Sequence, residues 1–444
     1  MTAIVNLGWI DQYLASIGRE LCVRETDGVL ILMPNRCYKL NAQAVKLLSW
    51  LLSGKSIADV LSHAADPARV AQELDSFFQD LRRVLSGTLC EGHESPTLER
   101  ITFGPGYTAL PVLSELAVTS RCNIRCQFCY GNCTCRADND EPDLSRATIA
   151  RLFRTIRHQA EVPSVSLTGG EPMLRTDLVE LVADATDTGL RVNLITNGTC
   201  ATAAVVRRLV AAGLRSVQIS VEGSTAAIHD AVTQSEGSFA RSIAGVRLFA
   251  QSGISAHIHT TLNQLNLEDS LRMPALAREL GLKRLSMNML IPVGRGKNER
   301  LLVRYAEVGE HVLRLADLAA SLGLELHWYS PTPMCLFNPI AHGLGNKGCA
   351  ACDGLLSIDS RGRVLPCSSY PQPLGSLLEL AFADIWQSQE ARRIRNRGDA
   401  PAQCQACDQL HLCTGACPLY WQSVGTRELP RCPQEPSRRH TWQA

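Results

Sequence analysis

The sequence predicts an α/β protein in which a parallel sheet, curled into a full or partial (β/α) barrel, lies between a small N-terminal domain and a Cys-rich C-terminal region. Six short β-rich runs alternate with helical patterns between residues 111 and 291, as in parallel sheets with right-handed crossovers. The 444 residues are enough for about three domains. The 18 cysteines are clustered, with five between Cys122 and Cys135 and nine between Cys335 and Cys432. Such clustering indicates metal sites in two separate parts of the chain.

The N-terminal domain is predicted over residues 1–95. Two β-rich runs, broken at Asp27-Gly28 and at Pro34-Asn35, precede the helical stripe "AQAVKLLSWLLSG". After Gly87 the composition becomes polar and loop-like up to about Gly106, which indicates a linker. We expect a small strand-and-helix domain that folds separately.

The barrel is predicted over residues 107–300, with a connecting helix and strand over 301–334. Its six strand runs are "PVLSELAVTS", "SVSLTGG", "RVNLITNG", "SVQISVEG", "SAHIHTTL" and "RLSMNMLI". A crossover helix is expected between Thr176 and Gly189, where apolar residues form one stripe before a glycine. Active-site groups of such a barrel are expected at the C-terminal ends of the strands.

Charge and hydropathy exclude several classes of protein. Lys plus Arg number 44 and Asp plus Glu 43, so the formal net charge of +1 favours neither nucleic acid nor an anionic membrane as a partner. The sequence has neither a signal-peptide pattern nor about 18 consecutive apolar residues, and we expect a cytoplasmic protein. Because cytosolic thiols stay reduced, CxxC pairs there indicate metal ligands more often than disulfides.

The first cysteine group follows the first barrel strand directly. In "SRCNIRCQFCYGNC", Cys122, Cys126 and Cys129 have C-x3-C-x2-C spacing. Three thiolates in one loop can hold three irons of a cubane cluster and leave the fourth iron open to a ligand that is not protein. A zinc loop or a chance spacing is the alternative when this motif is considered alone.

Three further motifs end later strands. "LTGGEP" places Gly169 and Gly170 where backbone can approach a ligand, with Glu171 as an acceptor for an amine. "ITNG" ends the third strand, and "ISVEG", with Ser220, ends the fourth. Each motif alone is only a weak turn signal. Their combination in this order carries more information than any one of them.

In this combination, residues 111–295 resemble the radical S-adenosylmethionine (SAM) superfamily. The resemblance implies that Cys122, Cys126 and Cys129 bind a [4Fe-4S] cluster, with Phe128 at the usual aromatic position. It also implies five cofactor-binding residues: Phe128, then Gly169, Gly170 and Glu171 at the methionine amine, and Ser220 at the ribose or carboxylate. The chain departs from the family pattern at one position. After "HDAV", many relatives have an arginine where this chain has Thr233, which leaves the partner of the SAM carboxylate open.

The C-terminal region, residues 335–444, carries "CDGLLSIDSRGRVLPC" and then "CQACDQLHLCTGAC". Spacing alone would fit a structural zinc site, but the whole string resembles the SPASM extension of radical enzymes that mature peptides and proteins. The resemblance implies two auxiliary [4Fe-4S] clusters, hence three in total. Its distal ligands would be Cys404, Cys407, Cys413 and Cys432. Its proximal ligands would be Cys352, Cys367 and Cys417, with Cys349 slightly favoured over Cys335 as the fourth; if neither serves, that cluster has an iron open to substrate.

The N-terminal 90 residues resemble the small winged-helix peptide-recognition domains found beside ribosomal-peptide maturases. The run "GVLILMP" is expected to be an exposed edge strand that accepts a leader peptide by strand addition. An ordinary capping domain is the alternative. Together the resemblances imply a partial (β/α)6 barrel enzyme that binds a precursor peptide and takes electrons from a flavodoxin- or ferredoxin-type donor.

The expected reaction is reductive cleavage of SAM to a 5′-deoxyadenosyl radical, followed by oxidative modification of the peptide through a thioether or carbon–carbon crosslink. The enzyme alternatives are a sulfatase-type protein maturase and a small-molecule radical SAM enzyme. The non-enzyme alternatives, an iron–sulfur electron carrier or a zinc scaffold, explain the cysteines but not "TGGEP" or "VEG" at strand ends. His257 and His259 should share one face of the fifth strand, and a hydrogen-bonded structural role is expected for both.

Overall fold

The computed structural model describes residues 6–88, 95–99, 106–133 and 142–430. The chain divides into two compact units, Met1–Val112 and Leu113–Ala444. Three cysteines of the sequence, Cys90, Cys135 and the predicted ligand Cys432, lie outside the described residues.

The first unit contains an antiparallel three-stranded sheet with spatial order β1-β2-β3. Leu48 and Phe78, both fully buried, lie in the core that the helices form against this sheet. The element bounds are β1 Leu21–Arg24, β2 Val29–Leu32, β3 Arg36–Lys39, α1 Gly8–Ile17, α2 Ala42–Leu52, α3 Ile57–Ser62 and α4 Pro67–Ser86. The predicted strand-and-helix composition is therefore present.

The position of β2 corrects one expectation. The run "GVLILMP" was expected to supply an exposed edge strand, but β2 is the central strand and pairs with both β1 and β3. Val29, Leu30 and Ile31 are each 0% exposed. A continuous apolar run is typical of a strand covered on both faces, whereas an edge strand usually carries polar residues. The edges are β1 and β3, and Arg36 and Lys39 of β3 are exposed.

Residues 106–112 return to this sheet. Arg24 donates hydrogen bonds to the carbonyls of Leu110 (3.0 Å) and Pro111 (2.6 Å), and the Asp27 carboxylate accepts one from the Ala109 N–H (2.8 Å). Val112 packs against the apolar side chains of β2. The first unit therefore includes the chain up to Val112.

The second unit is organised around a ten-stranded sheet with order β10-β9-β8-β7-β6-β5-β4-β11-β12-β13. All neighbours from β10 to β11 are parallel, and β12 and β13 continue antiparallel. The strands are β4 Leu113–Thr119, β5 Ser164–Gly169, β6 Arg191–Thr196, β7 Leu214–Ser220, β8 Ser255–Leu262, β9 Arg284–Met289, β10 Glu325–Trp328, β11 Leu355–Ile358, β12 Arg363–Leu365 and β13 Gly375–Ser376. The six predicted strands correspond to β4–β9, and the expected connecting strand is β10.

Helices connect the parallel strands. Their bounds are α5 Arg146–Arg154, α6 Leu178–Asp187, α7 Ala203–Ala211, α8 Ala226–Thr233, α9 Ser238–Ala250, α10 Met273–Glu279 and α11 Tyr305–Ser321. The C-terminal region contributes α12 Phe382–Trp386, α13 Gln389–Arg395, α14 Ala402–Gln405, α15 Leu410–Cys413 and α16 Pro418–Val424. The expected crossover helix is α6. Within the described ranges, every helix is too short or too polar to cross a bilayer.

The two faces of the sheet differ in polarity. Leu116, Leu167 and Leu194 are register neighbours on one face and are 0% exposed. Glu115, Ser166 and Asn193 are register neighbours on the other face. Since side chains alternate along a strand, the apolar face forms the core with the helices and the polar face lines the lumen.

A contact between distant strands shows that the sheet curves. β4 and β9 are five positions apart in the sheet, yet the N–H of Arg295, after β9, donates to the carbonyl of Cys129, after β4, at 3.0 Å. A flat sheet would hold these loops far apart, because neighbouring strands are separated by about 4.8 Å. This contact confirms the predicted partial barrel.

Candidate active site

The loop after β4, residues 120–133 and hereafter the cluster loop, carries the first predicted cysteine group. Cys122 is buried, while Cys126 and Cys129 are partly buried. Burial raises the pKa of the Cys126 thiol well above its usual value; the charges of Glu222, Cys122 and Cys129 act in the same direction, and Arg295 opposes them. The three thiols are thus brought together, and they need a nearby cation to ionise as a set.

A fourth thiol lies beside this group. Cys133 interacts with Cys129, and this interaction lowers the pKa of the Cys129 thiol despite its burial. Cys133 therefore favours the thiolate form of Cys129. Residues 134–141, which follow Cys133, are outside the described part of the chain.

The end of α8 holds the first half of the cluster loop. The N–H groups of Arg125 and Gln127 donate to the carbonyls of Thr233 (2.9 Å) and Val232 (3.0 Å). The Thr233 hydroxyl lies 2.8 Å from that of Ser238, and the residue is 0% exposed. The Thr233 hydroxyl is therefore engaged by Ser238 inside the protein. At this position, where many relatives have arginine, the chain supplies a backbone carbonyl that anchors the cluster loop.

Arg295 holds the second half of the cluster loop. Its Nε donates to the carbonyl of Cys126 (3.0 Å), and both terminal nitrogens donate to the carbonyl of Cys133. A Cβ at Gly294 would lie 2.4 Å from the carbonyl oxygen of Tyr130, so only glycine permits this approach. Sequence reasoning did not identify Arg295; an arginine between two glycines just after a strand was the available signal.

The predicted glycine pair at the end of β5 contacts the cluster loop. A Cβ at Gly169 would lie 2.2 Å from the Thr119 carbonyl oxygen, and one at Gly170 would lie 2.1 Å from that of Arg121. The N–H of Gly170 donates to Thr119 at 2.9 Å. The glycines thus allow two backbones to pack closely, in addition to any role toward a ligand.

Glu171 connects the ends of β5 and β6. It is 0% exposed, and its carboxylate accepts hydrogen bonds from the Thr196 hydroxyl (2.6 Å), the Asn197 N–H (2.7 Å) and the Met173 N–H (2.9 Å). Burial raises the pKa of Glu171, and these hydrogen bonds oppose that shift. The side chain is a positioning group for the surrounding loops, and its predicted contact with the methionine amine stays a prediction.

Asn197, in the "ITNG" motif, extends this network to the cysteines. Its side-chain nitrogen donates to Asn123 Oδ1 at 2.9 Å and lies 4.0 Å from the Cys122 sulfur. Its side-chain oxygen accepts hydrogen bonds from Thr199. The loop after β6 therefore fixes the first cysteine of the group.

The end of β7 brings Ser220 and Glu222 toward the same region. Ser220 is partly buried and is the register partner of His259 on the lumen face. Glu222 is 2% exposed; burial raises its pKa to about 8, and its carboxylate accepts a hydrogen bond from the Thr261 N–H at 2.9 Å. When ionised, it also raises the pKa of Cys126, so Glu222 is a site residue that the sequence analysis noted only within a motif.

The lumen face of β8 places both predicted histidines together. His259 lies 2.8 Å from Ser286 Oγ and 3.1 Å from Asn288 Oδ1, and its ring stacks on Tyr329. Burial lowers the pKa of His259 to about 4 and that of His257 to about 3, so both are neutral at pH 7. The expected hydrogen-bonded role is present for His259, whereas His257 Nε2 is buried with no hydrogen-bond partner among the described residues, against the expectation for that residue.

Four cysteines of the C-terminal region form a second group. Cys349 interacts electrostatically with Cys352, Cys367 and Cys417. Burial raises the pKa of each of these thiols, to about 12 for Cys352 and Cys417. The grouping includes Cys349, whereas Cys335 is exposed.

Arginines support this second group as Arg295 supports the first. Arg395 Nε donates to the Cys352 carbonyl at 2.6 Å, and Arg397 donates to the Cys349 carbonyl at 3.0 Å and to the Asp353 carboxylate. The contacts with Cys352 and Cys349 use their backbone oxygens, which leaves the sulfur atoms available. The cysteines of both groups are therefore held by their main chains.

The distal cysteines lie in one short segment. The N–H of Cys407 donates to the Cys404 carbonyl (3.0 Å), and the Cys413 sulfur accepts a hydrogen bond from the Met334 N–H (3.3 Å). The fourth predicted ligand, Cys432, lies outside the described residues. The structure thus places three of the four predicted distal ligands along residues 404–413.

The cluster loop and the second cysteine group meet at the lumen. The side chain of Tyr130, next to Cys129, interacts with Ser368, next to Cys367. Glu115 of β4 accepts a hydrogen bond from Ser357 (2.6 Å) and also interacts with Ser368. A group bound at either set of cysteines would therefore be close to the same part of the lumen.

The donor sets suit iron–sulfur clusters. Buried thiols with raised pKa values become thiolates when cationic iron neutralises them, and thiolates are the usual ligands of such clusters. Each predicted ligand set consists of cysteines alone, which is the ligand type that such clusters use.

Comparisons with known proteins agree with this site. Residues 116–271 match the family model of the radical SAM superfamily, and residues 349–408 match that of an iron–sulfur cluster-binding domain, SPASM. An AdoMet-dependent heme synthase of Methanosarcina barkeri is 29% identical over 363 residues, which cover 75% of this chain and 99% of the relative. A PqqA peptide cyclase of Xanthomonas oryzae pv. oryzae is 31% identical over 329 residues, which cover 70% of this chain and 84% of the relative.

A solved structure shares the fold of nearly the whole chain. Streptococcus suis SuiB bound to its precursor peptide SuiA aligns with a TM-score of 0.67 and 16% identity, covering 94% of this chain and 98% of SuiB. The matches at both cysteine groups and the 31% identical relative establish the kinship. This chain belongs to the radical SAM superfamily, as an enzyme with a C-terminal SPASM domain.

Proposed function

We propose that the protein is a peptide maturase that uses SAM-derived radical chemistry to oxidise a ribosomally made peptide, with a thioether or carbon–carbon crosslink as the product. When the cofactors are bound, one electron supplied to the first cluster cleaves SAM and yields a 5′-deoxyadenosyl radical that removes a hydrogen atom from the substrate. The chain's own residues position the reactants and exclude water.

One observation carries the peptide assignment. The fold shared with SuiB, a protein solved with its precursor peptide, leaves only 6% of this chain unmatched, which is less than the length of the N-terminal unit. Most of that unit must therefore have a counterpart in SuiB. The heme synthase, in contrast, is matched over 99% of its length while a quarter of this chain has no partner there.

In this proposal eleven cysteines hold three [4Fe-4S] clusters. Cys122, Cys126 and Cys129 would hold the first; Cys349, Cys352, Cys367 and Cys417 the proximal auxiliary one; and Cys404, Cys407, Cys413 and Cys432 the distal one. The electrostatic grouping of Cys349 with three other thiols supports its choice over Cys335. An open iron on the proximal cluster is then not expected.

SAM would lie where the ends of β4, β5 and β7 meet. Phe128 and the backbone of Gly169, Gly170 and Glu171 would contact its methionine part, and Ser220 its ribose or carboxylate. The contacts of Glu171 with Thr196 and Asn197 support a preformed site, because they fix two loops before any ligand binds.

The N-terminal unit would bind the leader of the precursor peptide. β3 is an edge strand that pairs with β2 on its inner side. Its outer edge is therefore suited to strand addition by the leader. Lys39 already uses its N–H to bind the Tyr107 hydroxyl at 3.1 Å, so the leader would pair with the part of β3 before Lys39. Deletion of residues 1–112 should reduce peptide modification strongly and leave SAM cleavage without peptide unchanged.

A heme-synthase-like activity is the second candidate, because the chain spans almost the whole length of that relative. Both candidates predict SAM cleavage, and they differ in substrate. The discriminating experiment supplies the anaerobically reconstituted enzyme with SAM, dithionite and either a peptide encoded beside its gene or an iron-containing tetrapyrrole with carboxylate side chains. Modification of the peptide alone supports the maturase; conversion of the tetrapyrrole alone would refute it.

A further inference from the structure

The lumen face of β8, β9 and β10 carries aromatic and basic side chains that no predicted cofactor contact uses. His257 and His259 of β8 share this face, because side chains alternate along a strand. His327 of β10 lies on the same face, since His259 and His327 are both register partners of Ser286. Tyr329, two residues further on, stacks on the His259 ring at 6.0 Å and meets the His327 ring edge-on at 6.1 Å. These four rings therefore form one continuous surface.

Lys347, from the C-terminal region, reaches this surface. Its Nζ lies over the Tyr329 ring, 5.4 Å from the centroid. The side chain is partly buried, and among the described residues no carboxylate is paired with it. Withdrawing an ammonium group from water costs free energy unless a counter-charge offsets the loss. We name the following side chains the donor cluster: His257, His259, His327, Tyr329 and Lys347.

One buried polar atom of the donor cluster lacks a partner. His257 Nε2 is buried and has no hydrogen bond to any residue that the structure describes. Most buried polar side-chain atoms in proteins are hydrogen-bonded, so this exception marks a place that a ligand group can fill. Both ring nitrogens of His259, in contrast, are already engaged, by Ser286 and Asn288. Within the β8 pair, His257 is therefore the histidine that can bind a further group.

The charges around the donor cluster favour an anion. Arg284, at the start of β9, acts electrostatically on His257 and His327. The sequences of β8, β9 and β10 contain one carboxylate, Glu325, which lies 3.4 Å from His327 Nε2 and 3.9 Å from Arg284 Nε. Its side chain is 68% exposed, so both contacts are weak. Arg284 and Lys347 together leave one positive charge unbalanced on this side of the lumen.

We propose that the donor cluster binds the carboxylate of an Asp or Glu side chain in the precursor peptide and thereby holds the segment that is modified. The inference deepens the proposed function and rests on it, because it assumes a peptide substrate. The two oxygens of a carboxylate can face different donors. Lys347 would supply the counter-charge, and His257 Nε2 a hydrogen bond. Because Lys347 precedes the candidate ligand Cys349 by two residues, the bound segment would lie toward the proximal cysteines.

The test is a double-mutant cycle between enzyme and peptide, carried out on the full-length, reconstituted enzyme. The substrates are the precursor peptide encoded beside the gene and variants of it in which each Asp or Glu after the leader is replaced singly by Asn or Gln. The enzymes are the wild type, Lys347→Met, Lys347→Arg and, as a matched control, Lys283→Met, which removes an exposed lysine just before β9. KM and kcat for peptide modification are measured, and iron content reports whether the clusters are intact.

One of the peptide variants should raise the KM of the wild type about tenfold, a difference of about 1.4 kcal/mol, with a smaller change in kcat. The reason is that the carboxylate is bound in the ground state and in the transition state alike. Lys347→Met should raise KM for the unaltered peptide by a similar factor. Combining the two changes should produce little further increase, because they remove the same interaction. Lys347→Arg should keep most of the affinity, and Lys283→Met should match the wild type on every peptide.

Equal KM values of the wild type for the unaltered peptide and for all its amide variants would overturn the carboxylate site. Additive effects of the peptide change and Lys347→Met would overturn it as well. If Lys347→Met has lost iron, His257→Leu, on β8 and outside the cysteine-bearing segments, takes its place with the same expected coupling. A wild type that cleaves SAM and leaves every peptide unmodified would instead refute the proposed function.

Discussion

The side chains of Tyr130 and Ser368 interact, and each residue directly follows a predicted cluster ligand, Cys129 and Cys367. These cysteines are more than 200 residues apart in the sequence, yet their loops meet at the lumen beside Glu115. An oxidation needs a radical source and an electron acceptor near one substrate. The Tyr130–Ser368 contact places the two candidate cluster sites near the same part of the lumen.

Replacement of Cys122, Cys126 and Cys129 by Ala together should remove one cluster and all SAM cleavage. The auxiliary clusters should remain, because their cysteines are held by separate arginine contacts. Iron analysis should fall from about twelve to about eight atoms per chain, since each cluster holds four. The matched control, Cys37→Ala in the N-terminal unit, should retain all the iron. Stoichiometric zinc in place of iron in the anaerobic wild type would contradict the assignment.

Gly294→Ala should displace the cluster loop. Its Cβ would lie 2.4 Å from the Tyr130 oxygen and 2.6 Å from the Cys129 oxygen, closer than atoms can approach. Gly281→Ala is the control, because Gly281 also has positive φ but a Cβ there would meet open space. Both variants should lose about 1 kcal/mol from the left-handed backbone. Only Gly294→Ala should also lose iron from the first cluster, as seen by iron analysis and electron paramagnetic resonance.

Glu171→Gln should lower the free energy of unfolding by about 1–3 kcal/mol. The amide cannot accept all three hydrogen bonds that the buried carboxylate accepts from Thr196, Asn197 and Met173, and at least one donor loses its partner. Glu279→Gln, at a residue whose side chain is 69% exposed, is the control. Denaturant unfolding measures the difference. An unchanged unfolding midpoint in Glu171→Gln would refute its positioning role.

His229 should make the protein sensitive to acid. It is 1% exposed, its Nδ1 accepts a hydrogen bond from the Glu222 N–H at 3.0 Å, and burial lowers its pKa from 6.5 to about 4. Below pH 6.5, His229 is protonated in the unfolded chain, whereas in the folded chain it stays neutral down to about pH 4. The free energy of unfolding therefore decreases as the pH falls from 6.5 to about 4. A tenfold difference in proton affinity between the folded and unfolded chains corresponds to about 1.4 kcal/mol.

The variant His229→Gln keeps a neutral acceptor at this position and cannot take up the proton. Its unfolding free energy, measured in denaturant between pH 4 and 7, should therefore decrease less steeply toward acid than that of the wild type. Parallel pH profiles for the two proteins would show that His229 does not contribute in the predicted way.

Cys413→Ala should separate radical formation from product formation. The auxiliary clusters are proposed to accept the electron of the substrate radical, while the first cluster alone generates the radical. The variant should form 5′-deoxyadenosine and leave the peptide unmodified. Soluble yield must match the wild type, because cluster binding also contributes folding energy. Full peptide modification by this variant would exclude the acceptor role.

Local patterns were sufficient to predict much of the fold. The runs that became β4–β9 carry strong alternation or β-rich composition, and glycines mark the crossover ends. β11 was not predicted because "LLSI" is only four residues long. It joins the sheet by pairing in parallel with β4, which is more than 200 residues away in the sequence. The role of β2 was wrong because a short apolar run does not reveal whether a strand is central or at an edge.

The chemistry of the site could also be predicted in part from the sequence. Cysteine spacing and the strand-end motifs marked the residues that the structure gathers, including Cys122, Cys349 and Glu171. Arg295 and the Tyr130–Ser368 contact were not predictable, because each joins loops whose proximity depends on the curvature of the whole sheet. The extent of the first unit to Val112 likewise depends on the contacts of Arg24 with residues 110 and 111.

The most direct test of the central claim is mass spectrometry of a peptide encoded beside the gene, after anaerobic incubation with reconstituted enzyme, SAM and a reductant. The account predicts a product lighter by two hydrogen atoms per crosslink, together with 5′-deoxyadenosine, and neither product from the Cys122, Cys126 and Cys129 triple variant. SAM cleavage that proceeds while the peptide stays unchanged, and a tetrapyrrole consumed in its place, would contradict it.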